Sequence, residues 1–217
     1  LFRSYCHKAL VALYELDTPF DKRLIDLSQP AHRAELQALW PLRKFPVLHD
    51  GGSHQTVPEA SIIIEYIDLH YPGQARLLPP SAADALVVRQ WDRVFDLHVQ
   101  GPMQEIVNDR LFERHGDTQP ARDALAAAYS LVDTQLKNGT TWICGEQFSL
   151  ADCAAAPALF YASTLQAFGE HHLHLRRYFD RLMERPSVAR VLAEARPYFR
   201  LYPFYDRIPP RFLREQA

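Results

Sequence analysis

The chain has 217 residues, enough for one large domain or two small ones, each able to bury a core without staples. A formal net charge of -2, with acids and bases interspersed and no basic block, argues against nucleic acid as the main partner and for a small ligand. Three cysteines, Cys6, Cys144 and Cys153, are odd in number and not at metal spacing, so neither a disulfide framework nor a metal site is expected. The apolar runs fall far short of a bilayer span and the first residues lack the layout of a secretory signal, so a cytoplasmic protein with no membrane partner is expected.

Taken in chain order, Tyr5, Ala9, Ala12, Leu13 and Leu16 set an apolar stripe at helical spacing almost from the first residue. A strand should precede this helix, and at most its end is present in Leu1 to Ser4. Asp17-Thr18-Pro19 is a turn signal, Phe20 to Leu27 is the next strand candidate, and Ser28-Gln29-Pro30 leads into a helix from Ala31 to Leu39. Two short runs, Pro46 to His49 and His54 to Val57, flank Asp50-Gly51-Gly52-Ser53 and predict a β-hairpin whose glycines supply the positive backbone angles of the reversal. Pro58 ends the second strand. From Glu59 a helix carries Ile63, Tyr66 and Ile67 on one face until Tyr71-Pro72-Gly73 stops it.

Pro46 belongs at the first position of a strand or in a special turn, often cis. A cis Phe45-Pro46 bond would direct the Phe45 amide and carbonyl outward as a donor and acceptor pair for an extended peptide. The unpaired amides at the Glu59 end of the following helix suit a ligand carboxylate.

After the proline-rich stretch from Pro72-Gly73 to Pro79-Pro80, strand signals essentially cease. Ser81 with Asp84 opens a long helix to near Gln100, which Gly101-Pro102 interrupts before Met103, Ile106 and Val107 resume it. Gly116 to Pro120 separates this from a helix over Ala121 to Leu136 with Leu125, Tyr129 and Val132 on one face. In GEQFSLADCAAAPALF, Ser149 and Asp152 form a capping box and Phe148 a hydrophobic staple onto Cys153, while Pro157 either kinks the helix or sits in its first turn.

Two stretches, KFPVL followed by PEASIIIEYID and the Ser149-to-Asp152 box, together resemble the glutathione S-transferase family, and the resemblance covers nearly the entire chain. It implies an α/β thioredoxin-like domain at 1–73, a linker at 74–80 and an all-α domain at 81–217. By resemblance Phe45, Pro46, Glu59 and Ala60 bind glutathione, with Ser61 able to stand in for the hydroxyl that Ala60 lacks. Counting back from Lys8 through the family's S-P-[YF]-x-x-[KR] pattern puts Tyr5 on the aromatic, Ser4 on the proline and Arg3 on the thiol-activating serine. Arg3 by charge or Ser4 by hydrogen bond could stabilise a thiolate, and Ser4 could equally be the N-cap of the first helix. The electrophile pocket falls, by resemblance, near Tyr5, Trp91, Phe95 and His98, though ordinary packing is favoured for most of them.

Cys6 in the first helical turn is either a reactive thiol or a buried inert one. His171, His172 and His174 lack a ligand partner at metal spacing, and no metal is expected. The segment Tyr198 to Tyr205 folds over a cleft or covers a core. The expected partners are glutathione, a small hydrophobic electrophile and a second copy of the chain in a homodimer. A non-catalytic binding module on the same scaffold is the alternative.

Overall fold

The computed structural model describes residues 4–73 and 75–214, and Arg3 therefore lies outside the described residues. Helices α1 (Ser4–Glu15) and α2 (Pro30–Leu39) precede strands β1 (Val47–Asp50) and β2 (Gln55–Pro58) and helix α3 (Ala60–His70). Then come α4 (Ala82–Val94), a π-helical stretch (Phe95–Gln100), α5 (Gly101–Leu111), α6 (Gln119–Leu136), α7 (Leu150–Leu165), α8 (Leu173–Glu184) and α9 (Pro186–Ala195). Two 3-10 turns, Arg196–Leu201 and Tyr205–Arg207, and the short α10 (Pro210–Leu213) follow. This is a small α/β unit followed by a helical one.

Helix α7 is buried on all sides, from Leu150 through Leu165 with the single exception of Ser163. A helix apolar all round must run through a core, and α1, α4, α5, α8 and the π-helical stretch pack directly on it. Ala154, Ala155 and Ala156 have no side chain beyond Cβ, which lets those neighbours approach closely. Pro157 sits in the helix interior, and α7 continues through it.

The expected strand over Phe20 to Leu27 does not form. Among the described residues the sheet has two strands, β1 antiparallel to β2 with Leu48 opposite Val57, and no described strand pairs with the other edge of β1. A strand exists only by its ladder, and the segment is held by side chains instead. The Phe20 ring packs on Tyr14 at 5.6 Å, and Lys22 lies over both rings and pairs with Glu194 at 2.5 Å.

The hairpin also turns differently. Its positive angle falls on His54, φ 58°, and neither Gly51 nor Gly52 adopts one. Asp50 shapes the turn: its Oδ1 accepts the Gly52 amide at 2.8 Å, as in an Asx-turn. Its Oδ2 accepts the hydroxyls of Ser53 at 2.8 Å, Tyr66 at 2.7 Å and Tyr71 at 2.6 Å. Two of those hydroxyls come from α3 and its C-cap, so the helix grips the hairpin it follows. Gly73 lets that end of α3 touch α1, since a Cβ there would stand 2.3 Å from the Leu16 carbonyl oxygen.

Near Gly101-Pro102 the rod does not break. Gly101 has helical angles, and the irregularity lies upstream, in the π-helical stretch Phe95–Gln100. Pro102 lacks an amide hydrogen and its ring would meet the carbonyl four residues back, and the wider π turn accommodates both.

The capping box on α7 is present. Asp152, fully buried, accepts the Ser149 amide at 2.9 Å and the Ser149 hydroxyl at 2.7 Å. It also accepts the Ile143 amide at 3.1 Å and the Tyr178 hydroxyl at 2.6 Å, which ties α8 and the preceding loop to the start of α7. The C-terminal aromatic segment covers the core: Phe199 stacks on Phe160 at 5.7 Å and the Tyr202 and Thr164 hydroxyls meet at 2.8 Å.

Two outcomes follow for stability. Ser149→Ala is expected to cost about 0.5–2 kcal/mol, as loss of a helix cap does. Asp152→Ala costs more, about 3 kcal/mol, because the buried Ile143 and Tyr178 donors lose their acceptor; denaturant melts of both variants check the order. The second outcome concerns acid. The Tyr71, Tyr66 and Ser53 hydroxyls hold the Asp50 carboxyl well below the usual carboxylate range. A depressed folded-state value gives stability that is complete above the unfolded value of about 4 and is lost as pH falls below it. Thermal melts between about pH 5 and pH 2 should therefore fall more steeply for the parent than for Asp50→Asn.

Candidate functional site

Pro58 ends β2, and the chain enters α3 through Glu59, whose φ of 68° is rare for a residue with a Cβ. That kink leaves the Glu59 carboxylate exposed, with no capping bond to its own helix, beside the unpaired amides of the first turn. Phe45-Pro46 is a cis peptide at the entry to β1. Both border a groove of about 580 Å³, lined also by Trp40 and Lys44 and by Arg89, Arg93 and Leu97 from α4 and its π-helical continuation.

Of the residues singled out from sequence, Phe45, Pro46, Glu59, Ala60, Ser61 and Tyr5 line this one groove. Ser4 does not. It is buried at the first position of α1 and lines a separate cavity of about 310 Å³, whose other walls include Met103, Val107, Phe112, Tyr161 and Tyr202. Tyr5 and Ser4 are consecutive, so the first turn of α1 is the partition between a charged groove and an apolar cavity.

Trp91, Phe95 and His98 lie in neither cavity. Trp91 and Phe95 are 7% and 0% exposed and pack on each other at 6.1 Å, while His98 faces solvent. Helical phase explains this: Arg89, Arg93 and Leu97, four residues apart, form the face toward the groove, and Trp91 and Phe95 are turned inward. Sequence reasoning missed Trp40, Lys44 and those three. Lys44 stands next to the Phe45-Pro46 pair, and the four-residue spacing of Arg89, Arg93 and Leu97 is a feature of the sequence.

Beneath the groove is a buried charge cluster. Lys8, 1% exposed, pairs with Asp92 at 2.5 Å and Asp96 at 2.8 Å. It also donates to the Ser61 hydroxyl at 2.8 Å, and that hydroxyl donates to Asp92 at 2.8 Å. Arg93 donates to Ser61, to Asp92 at 2.7 Å and to Asp96 at 2.5 Å. The Ser61 hydroxyl is thus committed to the cluster, and α3 offers the groove its first amides and the Glu59 carboxylate.

Burial pushes the Asp96 carboxyl up, against the pull of Lys8. Burial, with the nearby Asp96 charge, also pushes the Tyr5 phenol up to about 12. Burial raises the Cys144 thiol to about 12 and the fully buried Cys153 well above the usual thiol range, so neither is a thiolate near neutral pH. Cys6 is half-buried in the first turn of α1. His172 accepts the Gly169 amide at 3.2 Å and bonds the Ser130 hydroxyl at 3.1 Å, a structural role at the start of α8.

Comparison with known proteins gives the same assignment at both ends of the chain. Residues 3–75 match the family model for the glutathione S-transferase N-terminal domain, and residues 94–186 match that for the C-terminal domain. Glutathione S-transferase GstB of Escherichia coli strain K12 is 27% identical over 194 residues, which span 85% of this chain and 91% of that protein. Among solved structures, glutathione S-transferase unclassified 2 from Bombyx mori superposes with a TM-score of 0.81 at 17% identity, covering 99% of this chain and 96% of that one. A glutathione S-transferase from Methylobacillus flagellatus KT, solved with glutathione bound, gives a TM-score of 0.74 at 23% identity over 88% of this chain and 95% of that one. With both domain models matched in order and the thioredoxin-like and helical units built as described, the chain belongs to the glutathione S-transferase family.

Proposed function

We propose that the protein is a glutathione transferase whose groove holds the tripeptide extended along Phe45, with its thiol directed at the partition made by the first turn of α1. The carrying observation is the convergence of Phe45-Pro46, Lys44, Trp40 and Glu59 in one groove. Phe45, Glu59 and Lys44 each meet a different part of glutathione. The Phe45 backbone pairs with the cysteinyl backbone in strand fashion, Glu59 meets the γ-glutamyl ammonium, and the first amides of α3, at Ala60 and Ser61, meet its carboxylate. Lys44 carries no hydrogen bond or ion pair among the described residues and is placed for the glycyl carboxylate.

The second substrate is a small hydrophobic electrophile, and the apolar cavity across the partition suits it, with Met103, Val107, Phe112 and Tyr202 as walls. The same bound thiol would also serve a glutathione-dependent reduction. A homodimer is supported by the exposed apolar residues Ile62 and Leu69 on α3 and Leu86 on α4, with Leu97 just beyond it. Glu65 on α3 grips Arg89 on α4 through bonds of 2.9 Å and 2.7 Å, so these faces lie side by side and carry both charges, as a self-complementary contact needs. A cytoplasmic setting belongs to the same reading; among the described residues no helix is long and apolar enough to cross a membrane.

Calorimetric titration with glutathione tests the reading. The parent should bind, and Lys44→Ala should weaken binding by about tenfold to a hundredfold, the worth of one charged hydrogen bond. KM for glutathione should rise with it while kcat changes little, because Lys44 touches ligand far from the sulfur. A parent that releases no binding heat with glutathione would refute the assignment.

A further inference from the structure

The cavity across the partition differs from the groove in its charge. Its described walls carry no charged side chain, and Met103, Val107, Leu111 and Phe112, from α5 and its C-cap, give it an apolar side. Two side-chain amides interrupt that side. Gln104 and Asn108 also line the cavity and, four residues apart on α5, are neighbours on one helix face. Gln104 donates from Nε2 to Asn108 Oδ1 at 2.9 Å. Each side-chain amide has one carbonyl oxygen and two N–H donors. The bond between them uses a Gln104 hydrogen and the Asn108 oxygen, so the pair retains the Gln104 carbonyl as acceptor and the Asn108 amino group as donor, neither with a further hydrogen bond to the described residues. The Tyr202 hydroxyl on the same cavity is already taken by Thr164 at 2.8 Å.

We propose that the electrophile taken by this cavity is an uncharged one bearing a carboxamide, whose carbonyl accepts from the Asn108 amino group and whose N–H donates to the Gln104 carbonyl, so that these two residues set substrate specificity. The inference rests on the glutathione transferase reading above and names the substrate class of its second site. A cavity without a counter-ion desolvates a carboxylate or an ammonium group at a loss, which disfavours a charged substrate. A wholly apolar substrate would leave both side-chain amides unpaired where it covers them. A donor and an acceptor on one helix face fit a group that offers an acceptor and a donor in return, and a primary carboxamide carries both on one edge. An ester keeps the carbonyl and lacks the N–H. With an aryl chloride of this kind, a sulfur lone pair of glutathione forms the new carbon-sulfur bond at the ring carbon that bears chlorine. Chloride then leaves with the electron pair of the carbon-chlorine bond, and the thiol proton goes to solvent.

The test compares three nitro-activated aryl chlorides that differ only in the group para to chlorine: 4-chloro-3-nitrobenzamide, its methyl ester counterpart and its carboxylate counterpart. Each kcat/KM is divided by the rate of the same chloride with free glutathione, which removes differences in intrinsic reactivity. The parent should favour the carboxamide over the ester by about tenfold, the worth of a hydrogen bond the ester cannot make, and should turn over the carboxylate most slowly. Gln104→Leu should erase the preference for carboxamide over ester, because the lost acceptor is the one that separates them. Asn108→Leu should slow carboxamide and ester alike, because both present the carbonyl. Neither residue is buried, so leucine replaces either without opening the core. The comparison of the three chlorides in the parent stands without any variant. Equal rates for carboxamide and ester, a faster carboxylate, or a preference that survives Gln104→Leu overturns the proposal, and calorimetric binding of glutathione by the same sample leaves the transferase reading standing. A parent that fails to bind glutathione overturns both.

Discussion

A lysine ammonium with 1% of its surface exposed is tolerable only when opposite charge surrounds it, and Lys8 meets that condition with groups from three helices. Asp92 and Asp96 reach it from α4 and the π-helical stretch, and Ser61 from the first turn of α3. Arg93, its side chain half exposed, pairs with both carboxylates as well, so two cations face two anions. Such a cluster contributes registry more than stability, because its desolvation cost offsets much of its Coulomb attraction. Slipping α1 by one turn would strand Lys8 in the core and both aspartates beside it. The groove exists because α1, α3 and α4 are held in this one arrangement.

The other end of α1 is secured as well. Glu15, its last residue, accepts two bonds from Arg185, at 2.8 Å and 2.6 Å, and one from Ser187 at the start of α9. Tyr14, the residue before Glu15, donates to Glu194 of α9 at 2.8 Å. A helix pinned by charge at both ends and packed along its length on α7 has little freedom to rotate. That rigidity gives meaning to the opposite outlooks of Ser4 and Tyr5: consecutive residues on a helix point about 100° apart, and here the angle separates a charged groove from an apolar cavity.

Local devices in this chain were legible because they depend on neighbours a few residues away. The Ser149 and Asp152 box, the arrest of α3 at Tyr71 and the cis Phe45-Pro46 bond were each expected from residues within a few positions of one another. The grouping of Phe45, Pro46, Glu59 and Ala60 was expected from the family resemblance, and a hairpin running directly into a helix brings its two ends together. The expected strand at Phe20 to Leu27 and the glycine angles in the hairpin failed for a related reason. A strand depends on a distant ladder partner, and the turn was shaped by Asp50 together with Tyr66 and Tyr71, whose hydroxyls arrive from the far side of the hairpin.

The sequence by itself determined the order of most elements, the family to which their motifs belong, and the cis Phe45-Pro46 bond with the helix start at Glu59. These are properties of contiguous segments, where spacing and capping chemistry act over a few residues. Only the tertiary structure decided that Trp91 and Phe95 are core, that Arg89 and Arg93 of the helical domain line the groove, and that the Ser61 hydroxyl is bonded to Lys8. It alone placed Ser4 and Tyr5 in different cavities. Each of these depends on the rotational phase of one helix against another, which is set by packing on α7 and by the charges buried around Lys8, and no spacing within a single segment contains it.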